Sequence, residues 1–313
     1  MTKRMTETVQ MATVLREPLE QTLRFVSWYC ELGVERIELF FDDPQDPAIE
    51  LVETRPEVRV HRCTADFWRG IGAQPDMAFV KRQNAALTFA YRGAKADWFL
   101  AVDSDEFVYL QGRNFDEFLR SVPDDAPAVR FCTAEHVTTP GHGGNWFRLP
   151  LPRAVIRQNG GAAAFYLAPR GGLVGHADGK SLTRTGFDVF RVRQHLVVGR
   201  DRKPIDGIFV GPANGAMLLH FVDNGYDRWR AKLAWRRGSW GLPRRASARL
   251  DEIDRFPAEE AEREYRALYD LLHQLEPETC EKLEGLGGVI RLDVDTHGQI
   301  DRIFPGHGNS NQG

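Results

Sequence analysis

The chain has 313 residues, 42% of them hydrophobic and 27% charged, with a formal net charge of −3. That is long enough for a full globular core, and the balance excludes a global electrostatic pull toward nucleic acid or anionic lipid. No run approaches the ~18–20 uninterrupted apolar residues that span a bilayer, and Met1–Gln10 lacks the apolar core of a signal peptide. A cytoplasmic protein is expected, with a peripheral position on the inner face of the membrane as the variant. Cys30, Cys63, Cys132 and Cys280 are too scattered for a paired metal-ligand spacing and read as reduced thiols.

Thr8–Leu15 is a β-branched run that predicts a first strand. Pro18–Leu32 places Leu19, Leu23, Val26 and Cys30 at helical spacing, with Pro18 in the first turn and Gly33 as a stop. Arg36–Phe41 is a second strand ending in Asp42-Asp43-Pro44, and Val58–Arg62 is a third. A helix is predicted at about Asp76–Gly93, and Trp98–Val102 is an apolar strand running into Asp103. This β-α-β-β-α-β order predicts an α/β fold, a mostly parallel sheet flanked by helices. Ligands bind such sheets beyond the carboxyl ends of the strands, where Arg16, Asp42, Asp43, Asp103 and Asp105 fall. The stretch of about Asp116–Arg200 is glycine-rich and predicts added strands and long loops. Helix follows Pro257 through about Leu275. A hairpin is expected from Val289–Val294 and Gln299–Phe304 around Thr296-His297-Gly298, and residues 305–313 read as a disordered tail. The expected organisation is one domain over 1–255, with halves of about 8–110 and 111–255, then an extension over 256–304.

Asp103-Ser104-Asp105-Glu106 leaves a strand that can be buried on both faces. Two carboxylates from one turn repel unless a cation or proton lies between them. Mg²⁺ or Mn²⁺ suits such oxygen ligands and binds substrate phosphates as well. A solvated acidic turn or a helix N-cap is the plainer reading of the same residues. A dehalogenase-type phosphatase also carries Asp-x-Asp, but on its first strand.

Lys81-Arg82-Gln83-Asn84, followed by Asp97-Trp98-Phe99-Leu100-Ala101-Val102-Asp103-Ser104-Asp105-Glu106-Phe107, resembles the core of family 2-like glycosyltransferases with the GT-A fold. The likeness is to the Asp-x-Asp-Glu-Phe subgroup related to family 92. Val14-Leu15-Arg16-Glu17, Trp28-Tyr29 and Leu32-Gly33-Val34 resemble that subgroup's opening. Asp42-Asp43 stands where its nucleotide loop lies, without the Asn and Ser of that loop. Lys180-Ser181 with Arg184 and His195, and His220-Phe221 through Arg237-Gly238, extend the resemblance to about residues 8–238.

The resemblance implies transfer of a sugar, with inversion, from a nucleotide-sugar donor (UDP-sugars foremost) to a glycan or glycolipid acceptor, assisted by Mn²⁺ or Mg²⁺. Asp103 and Asp105 would hold the metal, and His220 or, second, His195 would complete its shell. Arg16, Glu17, Asp42, Asp43, Arg82, Asn84, Asp103 and Lys180 would border the donor. Glu135 and Asp223 are the candidates for the base that inversion needs, with His136 and His142 behind them. Arg228–Arg249 holds eight basic residues and no acid. It reads as a helix with tryptophans inside and arginines in water, or as a peripheral membrane or diphosphate contact. Nucleic acid is not an expected partner. The rival classes are a catalytically silent nucleotide- or carbohydrate-binding module on the same fold, and a nucleotidyltransferase, for which the Gly-rich first loop is absent.

Overall fold

The structure, a computed structural model, describes residues 6–141, 143–222, 225–236 and 241–308. Asp223 and His142, named above, lie outside the described residues, as do the side chains of Trp235 and Trp240. The strands in chain order are β1 (Val9–Leu15), β2 (Arg36–Phe41), β3 (Val58–Arg62), β4 (Trp98–Ala101), β5 (Glu106–Tyr109), β6 (Ala128–Phe131) and β7 (Thr133–Val137). They continue as β8 (Asn145–Arg148), β9 (Lys180–Arg184), β10 (Val189–Val192), β11 (Val197–Gly199), β12 (Ile208–Val210), β13 (Met217–His220) and β14 (Val289–Leu292). The chain divides into two compact units. One comprises the residues up to Cys132, Gly179–Leu218 and those from Asp295 on; the other comprises Thr133–Asp178 and Leu219–Val294.

The first unit is built on a seven-stranded sheet in the order β12-β6-β9-β4-β1-β2-β3. β1 pairs parallel with β2 and with β4, and β2 pairs parallel with β3. β9 runs antiparallel between β4 and β6, and β12 returns parallel to β6. Every residue of β1 is buried, as expected of a central strand covered on both faces. The helix Phe79–Arg92 turns Ala86, Leu87, Ala90 and Tyr91 into a core with Ala12, Val14, Phe40, Phe99 and Ala101. Chain order 3-2-1-4 means that the winding reverses between β1 and β4. The crevice of an open α/β sheet forms at such a switch point. The strands predicted for β1 to β4 match to within a residue or two, while the short helices Ala48–Val52 and Ala65–Gly70 were not anticipated.

In the second unit β8 pairs antiparallel with β7 and with β14. Helices Tyr226–Arg236, Arg244–Ile253 and Ala258–His273 share a core of Trp229, Leu233, Leu250, Tyr265, Leu268 and Leu272. The expected C-terminal hairpin does not form. β14 pairs with β8, and Gly298–Ile303 is a helix. The reason is local: Asp295 Oδ1 accepts the N–H groups of His297 and Gly298 at 2.9 and 2.8 Å, which starts a helical turn where a strand return was read. Residues 305–308 continue from it, with Gly308 N–H donating to Asp301 at 2.8 Å.

Candidate active site

β4 ends at Ala101, and the next residues form a closed turn rather than a loose acidic loop. Glu106 N–H donates to the Asp103 carbonyl at 3.0 Å, and Asp103 N–H donates back to Glu106 Oε2 at 2.8 Å. From β9, Lys180 sends its ammonium into this turn, 2.7 Å from Asp103 Oδ2 and 3.0 Å from Glu106 Oε2. The lysine side chain is 1% exposed, whereas that of Asp103 is 31% exposed. Gln83 Nε2 donates to Asp103 Oδ1 at 2.7 Å, so both oxygens of this carboxylate have a donor. Burial alone would push the Asp103 carboxyl upward. Lys180 overrides it, aided by His195 and Gln83, and holds the group at about 2. Lys180, opposed by its own burial, is raised by Asp103 and Glu106.

Asp105, the second acid of the turn, is buried beside Arg24, whose guanidinium lies 4.8 Å from the Phe107 ring centroid. Burial lowers Arg24 to about 10, and the charges of Glu20 and Asp105 act against that fall. Ser104 Oγ donates to Glu17 Oε1 at 3.1 Å, which ties the end of β4 to the end of β1 across the switch point. Arg16 is exposed at the end of β1 and has no ion pair among the described residues. It is a cation available at the carboxyl edge.

The other expected donor contacts are arranged differently. Arg82 does not stand free for a diphosphate. Its Nη2 meets both oxygens of Asp42 at 2.8 and 3.0 Å, and its Nη1 donates to the carbonyls of Pro75 and Met77. Two opposite charges, each mostly buried, are better satisfied by one another than separately. Asp43 Oδ1 accepts Gln45 N–H at 3.0 Å and shapes the loop after β2. Asn84 is turned to the opposite side of its helix from Arg82 and lines a separate cavity. His195 remains near the turn, its Nδ1 3.1 Å from the Gly179 carbonyl and its charge felt by Asp103.

His220 and Glu135 belong to the second unit. Glu135 is fully buried and accepts the N–H groups of Val174 at 2.6 Å and Gly175 at 2.8 Å, one on each oxygen. Expected as a base, it has the contacts of a backbone anchor, with His220 Nδ1 3.9 Å away. His136 stacks on Phe221 at 5.1 Å between centroids. In the basic stretch, Trp229 is buried, Arg230 covers the Tyr265 ring at 3.7 Å, and Arg249 pairs with Glu252 and Glu264. These cations serve the unit's own packing. Among the described residues no helix is long and apolar enough to cross a membrane.

Gln83, Arg24 and the Ser104–Glu17 link were missed in the sequence. Gln83 stood inside the Lys81–Asn84 motif, and only the helical rotation separating it from Asn84 shows which of them meets the acid. Arg24 lay one turn after Glu20 on a helix read for its apolar face alone.

Among the described residues no three His, Cys, Asp or Glu side chains are grouped to hold a metal. Asp103 and Asp105 therefore offer two carboxylates at most. Asp103 is engaged by Lys180 and Gln83 and Asp105 is buried beside Arg24, so an ion held there would have to keep waters and share substrate phosphates, as Mg²⁺ and Mn²⁺ do. Each oxygen of Asp103 also retains a second lone pair beyond its hydrogen bond.

No family model matches the chain, and no curated sequence does. Among solved structures, it is similar to the mannosyltransferase PcManGT from Pyrobaculum calidifontis, in complex with GDP-Man and Mn²⁺. Identity is 13% and the TM-score 0.35, over 91% of this chain and 76% of that one. HddC from Yersinia pseudotuberculosis is similar at 14% identity and a TM-score of 0.25, over 42% of this chain. A complex of HddC with GMP-PN is similar at 12% identity and a TM-score of 0.25, over 41% of this chain. The matches span 60% and 59% of the HddC chains, less than two thirds of their length. At these scores the likeness decides nothing about the chemistry, which rests on this chain's own residues.

Proposed function

We propose that the chain is a glycosyltransferase that moves a sugar, with inversion, from a nucleotide-sugar donor of the UDP-sugar class to a glycan or glycolipid hydroxyl. The observation that carries this reading is the acidic turn at the β1/β4 switch point. It is closed by hydrogen bonds between Asp103 and Glu106, it carries Asp103 and Asp105 after a buried strand, and Arg16 lies at the same sheet edge. A diphosphate needs its charge offset at such a place, and a fixed array that acts on developing charge lowers the barrier to its departure. A bound Mn²⁺ or Mg²⁺ would supply Lewis acidity toward the leaving diphosphate. Asp105 and the open side of Asp103 are the residues that would hold it. Inversion also needs a base; Glu135 remains a candidate for it in the second unit, and His220, whose Nδ1 is 3.9 Å from Glu135, is another.

One observation favours the alternative of a silent nucleotide- or carbohydrate-binding module: Lys180 and Gln83 already engage both oxygens of Asp103. Asp105→Asn is expected to remove Mn²⁺-dependent donor binding and to cut turnover by about a hundredfold or more, read well below the melting temperature because buried Arg24 loses a counter-charge. Unchanged turnover in that variant, or in excess chelator, sinks the reading. Mn²⁺-dependent release of UDP from a UDP-sugar separates enzyme from silent module.

A further inference from the structure

Helix Phe79–Arg92 has a second working face. Gln83 serves the acidic turn and Arg82 pairs with Asp42, while Lys81, Asn84 and Arg92 line a cavity of about 490 Å³ with Phe89, Phe190 and Arg191. The far wall is β10, held to the helix by Val192 N–H donating to Thr88 Oγ1 at 2.9 Å and by Arg92 Nη2 donating to the carbonyls of Val189 and Phe190 at 3.3 and 3.4 Å. Three cations converge there with no acid among the lining residues. Lys81 and Arg191 have no ion pair with any described residue, and Arg191 lies 5.4 Å from the Phe190 ring centroid. The same cavity carries two large apolar side chains in partial contact with water, Phe89 at 43% and Phe190 at 39% exposure.

Cations alone would suit any anion, and exposed phenylalanines alone any greasy surface. Together, in a concavity of small-molecule size, they select a ligand that is both. The charge is more than one carboxylate requires, and it matches the −1.5 to −2 that a phosphomonoester carries near neutral pH. We propose that this cavity binds an amphiphilic phosphomonoester, its phosphate held by Lys81, Arg191 and the exposed part of Arg92, its alkyl or aryl body against Phe89 and Phe190. The Asn84 amide, whose Oδ1 is buried without a hydrogen bond, lies beside it. The site is independent of the acidic turn and of the activity proposed for it.

Calorimetric titration of the full chain tests this with octyl phosphate, inorganic phosphate, 1-octanol, and vesicles of phosphatidylcholine with or without phosphatidic acid. Octyl phosphate is expected to bind saturably, about tenfold or more tighter than inorganic phosphate or octanol, because only it satisfies both walls. Arg191→Ala and Phe190→Ala should each weaken it about tenfold while UDP-sugar affinity and melting temperature stay unchanged. Lys81→Glu should abolish it. If phosphatidic acid vesicles compete with octyl phosphate, the natural source is a lipid headgroup; if they do not, it is a soluble phosphomonoester. Absence of saturable octyl phosphate binding, equal binding of octanol, indifference to Arg191→Ala, or binding to vesicles alone overturns the proposal.

Discussion

At the residue scale, Lys180 organises the acidic turn from within. Removing its ammonium leaves Asp103 and Glu106 side by side without a counter-charge, and breaking a buried pair from one side costs ~3–5 kcal/mol. Lys180→Met is therefore expected to lose about that much stability in urea unfolding, and a second change, Glu106→Gln, to recover part of it. The same triad sets a pH window. Asp103 is depressed from 3.8 to about 2, so its contribution is present in full above 3.8 and fades as the pH falls toward 2. Lys180 is raised above 10.5, so its contribution is complete below that value and lost only above it. Lys180-dependent stability, read as wild type minus Lys180→Met across pH, should be flat between about 4 and 10 and collapse in acid. Asp103 and Asp105 were legible from their place after an apolar run. Lys180 was read as a donor contact because a sequence shows that a lysine exists, not that two carboxylates already surround it.

At the element scale, the delivery of Lys180 depends on the residue before it. Gly179 has φ +66°, and a Cβ there would stand 1.9 Å from the Phe131 carbonyl oxygen. β9 begins at the next residue, paired with Phe131 and wedged antiparallel between β6 and β4. Gly179→Ala combines left-handed strain with a backbone clash, so it should destabilise by ~3 kcal/mol or more. It should also move Lys180 off the turn and weaken donor binding beyond what the lost stability explains, read by titration well below the melting temperature. β1 to β4 were visible as apolar runs bounded by turn residues. β9 was not, because its ladder partners lie dozens of residues upstream. The C-terminal difference is of another kind: Ile300 and Ile303 stand one helical turn apart, and the Asp295 side chain engages the backbone before a strand can return.

At the scale of the whole molecule, metal and fold are expected to be separable. With no three-ligand cluster among the described residues, excess chelator should leave the melting temperature of the ligand-free protein within about 1 °C of its starting value. A UDP-sugar with Mn²⁺ should raise that temperature, and chelator should erase the rise, because a ligand that binds only the native state stabilises it by mass action. A chelator-induced fall in the ligand-free protein would point to a structural metal and contradict the two-carboxylate reading. The sequence by itself determined the α/β class, the strand ends where charge collects, and the acidic turn, since these follow from local periodicity and chain direction. Only the tertiary structure decided which charges are spent on one another. Arg82 with Asp42, Lys180 with Asp103 and Glu106, and Glu135 with the Val174–Gly175 backbone are pairings across long sequence separations, and burial is what makes each worth more than its contact with water.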